Sequence, residues 1–265
     1  MNTHRPLAVV TGASSGIGRA LAAELVEHGY DVVAAAEDDA VHVTAEELSG
    51  LGCEVRAVQV DLSTREGCER LHDEVAGTRR PVAVLVLNAG VAVGGEDLVH
   101  TPLEDHLRLV DLNCRSTVHL AHRFVREMVT EGEGRVLVTS SVAAFAPGPY
   151  QTTYAASKAF GHLFAEGLRH ELQGTGVTVT SLLPGPTDTE IFSRGGLGGT
   201  GIAEGRKDDP ADVARRAYQG MVEGRANVVT ASLPMKAQVA ASGLIPDRIA
   251  ASVAARQTRP GSGRS

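Results

Sequence analysis

Tyr154 and Lys158 stand four residues apart in the run Thr153–Leu172, whose apolar residues recur at three and four, so a helix there projects a phenol and an ammonium from one face. A phenol ionises near pH ~10, too high to serve as a base at neutrality, but a neighbouring cation favours the phenolate and lowers that value. Such tuning is what general acid–base chemistry requires. Ser141, thirteen residues before Tyr154 and just past an apolar run, offers a hydroxyl to an oxygen on which charge develops. Far upstream, Leu7–Thr11 runs straight into Thr11-Gly12-Ala13-Ser14-Ser15-Gly16-Ile17-Gly18 and then a helical stretch. Strand, glycine-rich turn and helix form a phosphate site: Gly12 permits the tight turn, Gly16 lets the backbone approach a pyrophosphate, and Gly18 lets helix pack on strand. The helix N-terminus adds free N–H groups and a positive dipole end. Residues 12–16 also satisfy GxSxG, the nucleophile elbow of a serine hydrolase, but an elbow after the first strand with no HGG-type loop upstream is out of place.

Those groups need a scaffold that brings residues 12, 141 and 154 together. Apolar, β-branched runs at Leu7–Thr11, Asp31–Ala36, Glu54–Val60, Val82–Leu87, Arg135–Thr139, Val177–Leu183 and Asn227–Thr230 alternate with helical patterns, clearest at Gly16–Glu27, Leu103–Thr130 and Thr153–Leu172. This alternation predicts an α/β fold, a doubly wound Rossmann-type parallel sheet of about seven strands with helices on both faces. No internal repeat or linker divides the chain, so one domain is expected over residues 1–257, with a polar tail, 258–265, expected to be frayed. Six glycines between Arg194 and Gly205 predict a substrate lid at about residues 189–209.

Composition narrows the partners. The 265 residues carry a formal charge of −7, no run of five basic residues, 3% aromatics and no Trp, which argues against nucleic acid and anionic membrane and leaves a small molecule. Cys53, Cys68 and Cys114 have neither disulfide-framework nor CxxC spacing, and no eighteen-residue apolar stretch or signal-peptide core occurs, so a cytoplasmic protein without a membrane span is expected. His119 and His122, three apart near Cys114, lack a fourth ligand at a sensible spacing, and no metal is expected.

TGxxxGxG resembles the glycine motif of the short-chain dehydrogenase/reductase superfamily, and further elements in order over about residues 6–231 carry the same resemblance. Asn88-Ala89-Gly90 is similar to the family's NAG element beside the adenosine half of the cofactor. Asp61-Leu62 lies where the family's Asp contacts adenine, and Asn113 where a helix-interior Asn serves the proton relay. Ser141, rather than Ser140, has the family spacing to Tyr154 and Lys158. Pro184-Gly185-Pro186-Thr187-Asp188-Thr189 looks like the PG element beside the nicotinamide. The resemblance implies an NAD(P)-dependent oxidoreductase acting on CH–OH. Tyr154 would exchange the hydroxyl proton, Lys158 would hold the ribose, Ser141 would orient the substrate oxygen and Asn113 would help maintain a water relay. Ser14, Ser15, Ile17, Thr187 and Thr189 join the cofactor contacts. A catalytically silent NAD(P)-sensing protein on the same fold stands as the alternative, with the hydrolase behind it.

About twenty residues beyond Gly18, Ala36-Glu37-Asp38-Asp39 offers carboxylates and no Arg or Lys, and the turn holds Ser15 where NADP-preferring relatives often carry a basic residue. NAD is therefore favoured over NADP. The usual Asp position holds Ala36, so Glu37 is taken as the ribose ligand. Val142, Tyr150, Ile191 and Phe192 are expected to wall an apolar pocket for a secondary alcohol or ketone on a hydrophobic skeleton, with Arg194 at the lid edge as a candidate carboxylate clamp. The resemblance further implies a homo-oligomer, a tetramer or dimer.

Overall fold

The computed structural model describes residues 5–205, 207–240 and 246–264; Arg206 of the expected lid and Ser265 of the tail lie outside them. Seven strands, β1 (Leu7–Thr11), β2 (Asp31–Ala36), β3 (Val55–Gln59), β4 (Val82–Leu87), β5 (Gly134–Thr139), β6 (Val177–Pro184) and β7 (Asn227–Thr230), form one parallel sheet in the order β3-β2-β1-β4-β5-β6-β7. Helices α1 (Gly16–Glu27), α2 (Ala40–Ser49), α3 (Arg65–Ala76), α4 (Leu103–Val110), α5 (Ser116–Glu131), α6 (Thr152–Glu171), α7 (Ile191–Arg194), α8 (Gly201–Glu204), α9 (Pro210–Val222), α10 (Leu233–Ala240) and α11 (Asp247–Thr258) surround it.

Every residue of β1 and β2 is buried, because both faces of the sheet are covered. Alternate side chains therefore enter different cores. Leu7 and Val9 pack with Leu71, Leu120, Phe124 and Ala165 under α3, α5 and α6. Ala8 and Val10 pack with Leu21, Leu25, Val41, Val213 and Met221 under α1, α2 and α9. A third cluster, Ala92, Leu109, Tyr154, Phe192 and Leu197, sits off the sheet beside the lid segment. The strand order reverses direction between β1 and β4, and a crevice at the carboxyl ends of the strands follows there.

Two expectations change. The helix anticipated over Leu103–Thr130 is broken by a π-helical turn at Asp111–Arg115 between α4 and α5. Its hydroxyls bond backward, Ser116 Oγ to the Leu112 carbonyl and Thr117 Oγ1 to the Asn113 carbonyl (2.9 Å). The tail expected to fray is folded through Arg264. Thr258 is buried and its Oγ1 donates to the Pro149 carbonyl (2.7 Å), while Ser262 Oγ accepts from the Gly201 amide (2.9 Å) and the Gly263 amide donates to the Gly199 carbonyl (3.1 Å). Backbone groups of the glycine-rich segment need partners, and the tail supplies them.

Candidate active site

A cleft of about 450 Å³ runs along the carboxyl ends of the strands, from Glu37 and Asp61 at one end to Met235 and Ala254 at the other. Gly12, Ser14, Ser15, Gly16, Ile17, Gly18, Leu62, Asn88, Ala89, Gly90, Ser141, Val142, Tyr154, Lys158, Pro184, Gly185, Thr187, Thr189, Ile191 and Phe192 all line it, as the sequence predicts. Asn113 and Tyr150 do not.

The glycine turn is built for close approach. Gly12 (φ +66°) and Gly16 (φ +54°) take left-handed conformations, and a Cβ on Gly16 would lie 2.8 Å from Thr189 Cγ2. Thr11 Oγ1 accepts from the Asn88 and Ala89 amides (2.9 and 3.0 Å), and Asn88 Nδ2 donates to the Thr11 carbonyl (3.0 Å), locking the turn to the end of β4. Ser15, extended at the N-cap of α1, makes no side-chain cap, so the first-turn N–H groups face the cleft unshielded by it. Ser14 Oγ donates to Asp38 Oδ2 (3.2 Å), and no histidine lines the cleft among the described residues, so the hydrolase triad has no base at this serine.

At the adenosine end the carboxylates of Glu37, Asp38 and Asp61 differ in their partners. Glu37 lines the rim, but its carboxylate is paired with Arg108 of α4, which also approaches Asp61 Oδ2 at 3.6 Å. Burial works to raise the Asp61 carboxyl, yet the hydrogen bonds from Ser63 and the charge of Arg108 leave it below the usual range. Asp38 differs in holding a buried acceptor. Its Oδ1 is buried without a hydrogen-bond partner, while Oδ2 meets Ser14 and, at 3.6 Å, Arg194 of α7. Arg194 also pairs with Glu190 (2.5 Å), which occupies the residue expected as a substrate-carboxylate clamp.

At the other end, Ser140 Oγ donates to the Lys158 main-chain carbonyl (2.6 Å), tying α6 to β5 and leaving Ser141 as the hydroxyl for the cleft. Ser141 Oγ accepts from the Ala143 amide (3.1 Å) and donates to the Pro184 carbonyl (3.5 Å). Lys158 Nζ lies 5.6 Å from the Tyr154 ring centre and donates to the Thr139 carbonyl (3.1 Å). In the protein alone the ammonium does not depress the phenol as expected: burial dominates and pushes Tyr154 up to about 12, with Ser141 pulling the other way. Burial likewise lowers Lys158 to about 8.

Asn113 sits within the π turn, a feature frequent at functional sites. Its carboxamide is fully engaged away from the cleft: Oδ1 accepts from the Val91 amide (2.9 Å), and Nδ2 donates to the Val91 carbonyl (3.0 Å) and to Ser157 Oγ (2.9 Å). Ser157 Oγ in turn donates to the Tyr154 carbonyl (2.8 Å), so Asn113 joins the loop after β4 to the helix that carries Tyr154. Tyr150 is turned off the cleft wall by its left-handed backbone (φ +61°), and Gln151 takes the place expected for it.

The buried cation has a measurable cost to the apoprotein. Between about pH 8 and the ordinary value of 10.5, Lys158 binds fewer protons folded than unfolded, so stability rises with pH across that window. Below it the full penalty, about 3 kcal/mol, is borne. Lys158→Met is expected to raise Tm at pH 7 and to lose most of that gain at pH 10.5; equal gains at both pH values would trace the effect to packing instead.

The residues present fit a dinucleotide. The glycine cradle leaves no room for a Cβ, Asp38 Oδ1 waits for a donor, and a Cβ on Gly90 would stand 3.1 Å from Asn113 Oδ1 and 3.5 Å from Lys158 Nζ, closing the cleft floor. A doubly wound parallel sheet with this cleft and a buried phenol beside an ammonium defines a nucleotide-dependent oxidoreductase. The family model for short chain dehydrogenases matches residues 6–195, and the chain belongs to the short-chain dehydrogenase/reductase family. It is similar to the 1-deoxy-11-beta-hydroxypentalenate dehydrogenase of Streptomyces exfoliatus, 38% identical over 211 residues that cover 77% of each chain. Among solved structures, a short-chain dehydrogenase from Sphingobium yanoikuyae in complex with NADPH superposes with a TM-score of 0.79 at 29% identity, covering 84% of this chain and 87% of that one. A second, from Burkholderia phymatum in complex with NAD, gives 0.80 at 25% identity over 91% and 93%. The protein is thus an NAD(P)-dependent oxidoreductase of alcohols and ketones with a small-molecule substrate. Among the described residues, no helix is long and apolar enough to cross a membrane.

Proposed function

We propose that the chain interconverts a secondary alcohol and ketone on a hydrophobic small molecule, uses NAD(H) in preference to NADP(H), and employs Tyr154 as general acid and base. The observation that carries this reading is the Tyr154 phenol, buried at the cleft that Ser141 also lines and one helical turn from Lys158. Bound along the cleft, the cofactor supplies the hydride acceptor or donor and, when oxidised, a positive charge beside the phenol. Tyr154 takes the hydroxyl proton during oxidation and returns one during reduction. Ser141, its Oγ held by the Ala143 amide, donates to the substrate oxygen. Lys158, anchored on the Thr139 carbonyl, holds the nicotinamide ribose and favours the phenolate once that charge is present. Asn113 is a positioning residue: it sets the height of α6 against the loop after β4, where the water relay runs. Residues 189–205 and 207–209 serve as the lid: Phe192 lines the cleft and clusters with Leu197, and the segment is fastened by the bond from the Gly94 amide to the Gly195 carbonyl (2.9 Å).

The preference for NAD rests on charge. Glu37, Asp38 and Asp61 stand at the adenosine end, and both guanidiniums there, Arg108 and Arg194, are already paired with carboxylates. A 2′-phosphate would meet repulsion with no cation to receive it. Fluorescence titration is expected to give a Kd for NADH about tenfold or more below that for NADPH, with Asp38→Asn narrowing the gap more than Glu37→Gln. Tighter binding of NADPH by the wild type would overturn the assignment. Coupling the titration to a panel of hydrophobic alcohols and ketones tests the reaction itself; no hydride transfer across a broad panel would favour the silent sensor. Exposed Leu107, Val110, Val118, Phe160 and Leu163 along α4 to α6 support a homo-oligomer, dimer or tetramer, and the free cysteines Cys53, Cys68 and Cys114 support a cytoplasmic location.

A further inference from the structure

Gln151 differs from the groups around it on the substrate side of the cleft. It is 6% exposed and lines the cleft, yet its Oε1 is buried without a hydrogen-bond partner. An unpaired buried carbonyl oxygen is costly, and native proteins keep few of them. Other residues lining the same cleft, Val142, Ala143, Ala146, Phe192 and Met235, are apolar in their side chains and have no side-chain donor to offer.

The side chain is also held where it is. Tyr150, immediately before it, keeps a left-handed backbone at φ +61°, uncommon for a non-glycine residue, and its carbonyl accepts from the Gly95 amide (2.9 Å). The Gln151 amide donates to the Gly148 carbonyl (3.1 Å). Gly94 and Gly148 flank the stem closely: a Cβ on either would lie 3.1 Å from the Gln151 side chain. Although Gln151 is the N-cap of α6, its side chain makes no capping bond. A strained turn and two close glycines therefore hold a carboxamide that serves neither the helix nor a neighbour, three residues before Tyr154.

We propose that Gln151 is a specificity-determining residue whose carboxamide hydrogen-bonds a second hydroxyl on the substrate. The preferred substrate is then a hydrophobic ketone or alcohol bearing a second hydroxyl near the reacting carbon, since Gln151 is the N-cap of the helix on which Tyr154 stands three residues later and both line the cleft. A hydroxyl is the partner that fits, because it both donates to Oε1 and accepts from Nε2 and so satisfies either orientation of the amide. A carboxylate is not, since Oε1 would repel it and Arg194 is engaged by Asp38 and Glu190. The inference rests on Tyr154 as the acid–base group, which fixes where the reacting carbon lies.

The test uses matched pairs of bicyclic ketones with and without a neighbouring hydroxyl. Wild-type kcat/KM is expected to favour the hydroxyketone by about tenfold to a hundredfold, and Gln151→Leu to bring the ratio near unity. Gln151→Leu is also expected to raise Tm by about 2–4 °C, because an orphaned acceptor is removed. The same preference is expected in Kd for the ternary complex of NADH with Tyr154→Phe, which binds without reacting. No preference in either readout, or equal losses for both members of each pair in Gln151→Leu, overturns the inference. A preference kept in ternary binding with no turnover of either member by the wild type counts against the proposed reaction and leaves Gln151 as a ligand of the hydroxyl.

Discussion

Tyr154→Phe is expected to lower kcat by about 10²–10⁴-fold, the usual worth of a positioned acid–base group, while changing the Kd for NADH by less than about tenfold, the worth of one ordinary hydrogen bond. The ring stays where it is, because it packs in the cluster with Ala92, Leu109, Phe192 and Leu197, and Phe fills the same volume. Ser141 Oγ keeps the Ala143 amide and the Pro184 carbonyl, so little else in the site is left without a partner. The outcome therefore separates chemistry from binding. Single-turnover reduction with NADPH or NADH, followed by loss of cofactor fluorescence, measures the first; equilibrium titration measures the second. Turnover within tenfold of wild type in a variant that binds cofactor normally would remove Tyr154 from the mechanism.

The position of the phenol on its pH scale sharpens that expectation. A group pushed up to about 12 by burial holds its proton at neutrality and is suited to donate it during ketone reduction. In the oxidative direction the proton must leave, and only a nearby positive charge makes that accessible. Lys158, itself lowered to about 8, gives up its charge above that pH, so oxidation is expected to gain more than reduction as pH rises toward 8 and to gain no further beyond it.

What could be read in the chain and what could not divides along physical lines. Strands covered on both faces are continuous apolar runs, so β1, β2 and β4 have the ends that the sequence predicts, and the edge strand β7 does too. Tyr154 and Lys158 meet because helical spacing is a local property. The π turn around Asn113 is different, since one extra residue in a helix barely alters the recurrence of apolar residues, and its purpose appears only when Val91 and Ser157 arrive from elsewhere. Three successive acidic residues, Glu37-Asp38-Asp39, look alike in the sequence. What tells them apart is Arg108, seventy-one residues from Glu37, which takes up that carboxylate. Tyr150 closes the segment expected to wall the pocket, but it takes a left-handed backbone and lies off the cleft, which Gln151 lines instead. Each of these outcomes is decided by a long-range contact or one backbone angle, neither of which periodicity records.

Gly18→Ala is expected to lower Tm by about 5–15 °C and to weaken NADH binding beyond measurement in the micromolar range. The added methyl would be driven into the Gly12 carbonyl oxygen and the Asn88 carboxamide nitrogen. Neither can yield cheaply: the first is backbone of the turn that approaches the pyrophosphate, and the second bonds the Thr11 carbonyl and helps lock that turn to β4. Relief by moving α1 would instead disturb Leu21 and Leu25, which are buried against β1 and β2. Overpacking of this kind costs about 1–3 kcal/mol or more, and here the same displacement that strains the fold carries the anion site out of register. Gly167→Ala supplies the contrast. That glycine lies in α6 with nothing within 4 Å of an added Cβ, so alanine is expected to stabilise the protein by about 0.5–1 kcal/mol through its better helix propensity. Thermal unfolding of the two variants, with and without NADH, distinguishes a glycine kept for close packing from one that is not. Cofactor-induced stabilisation in Gly18→Ala equal to that of wild type would show that the turn tolerates the methyl and that the contact is not what the cofactor site requires.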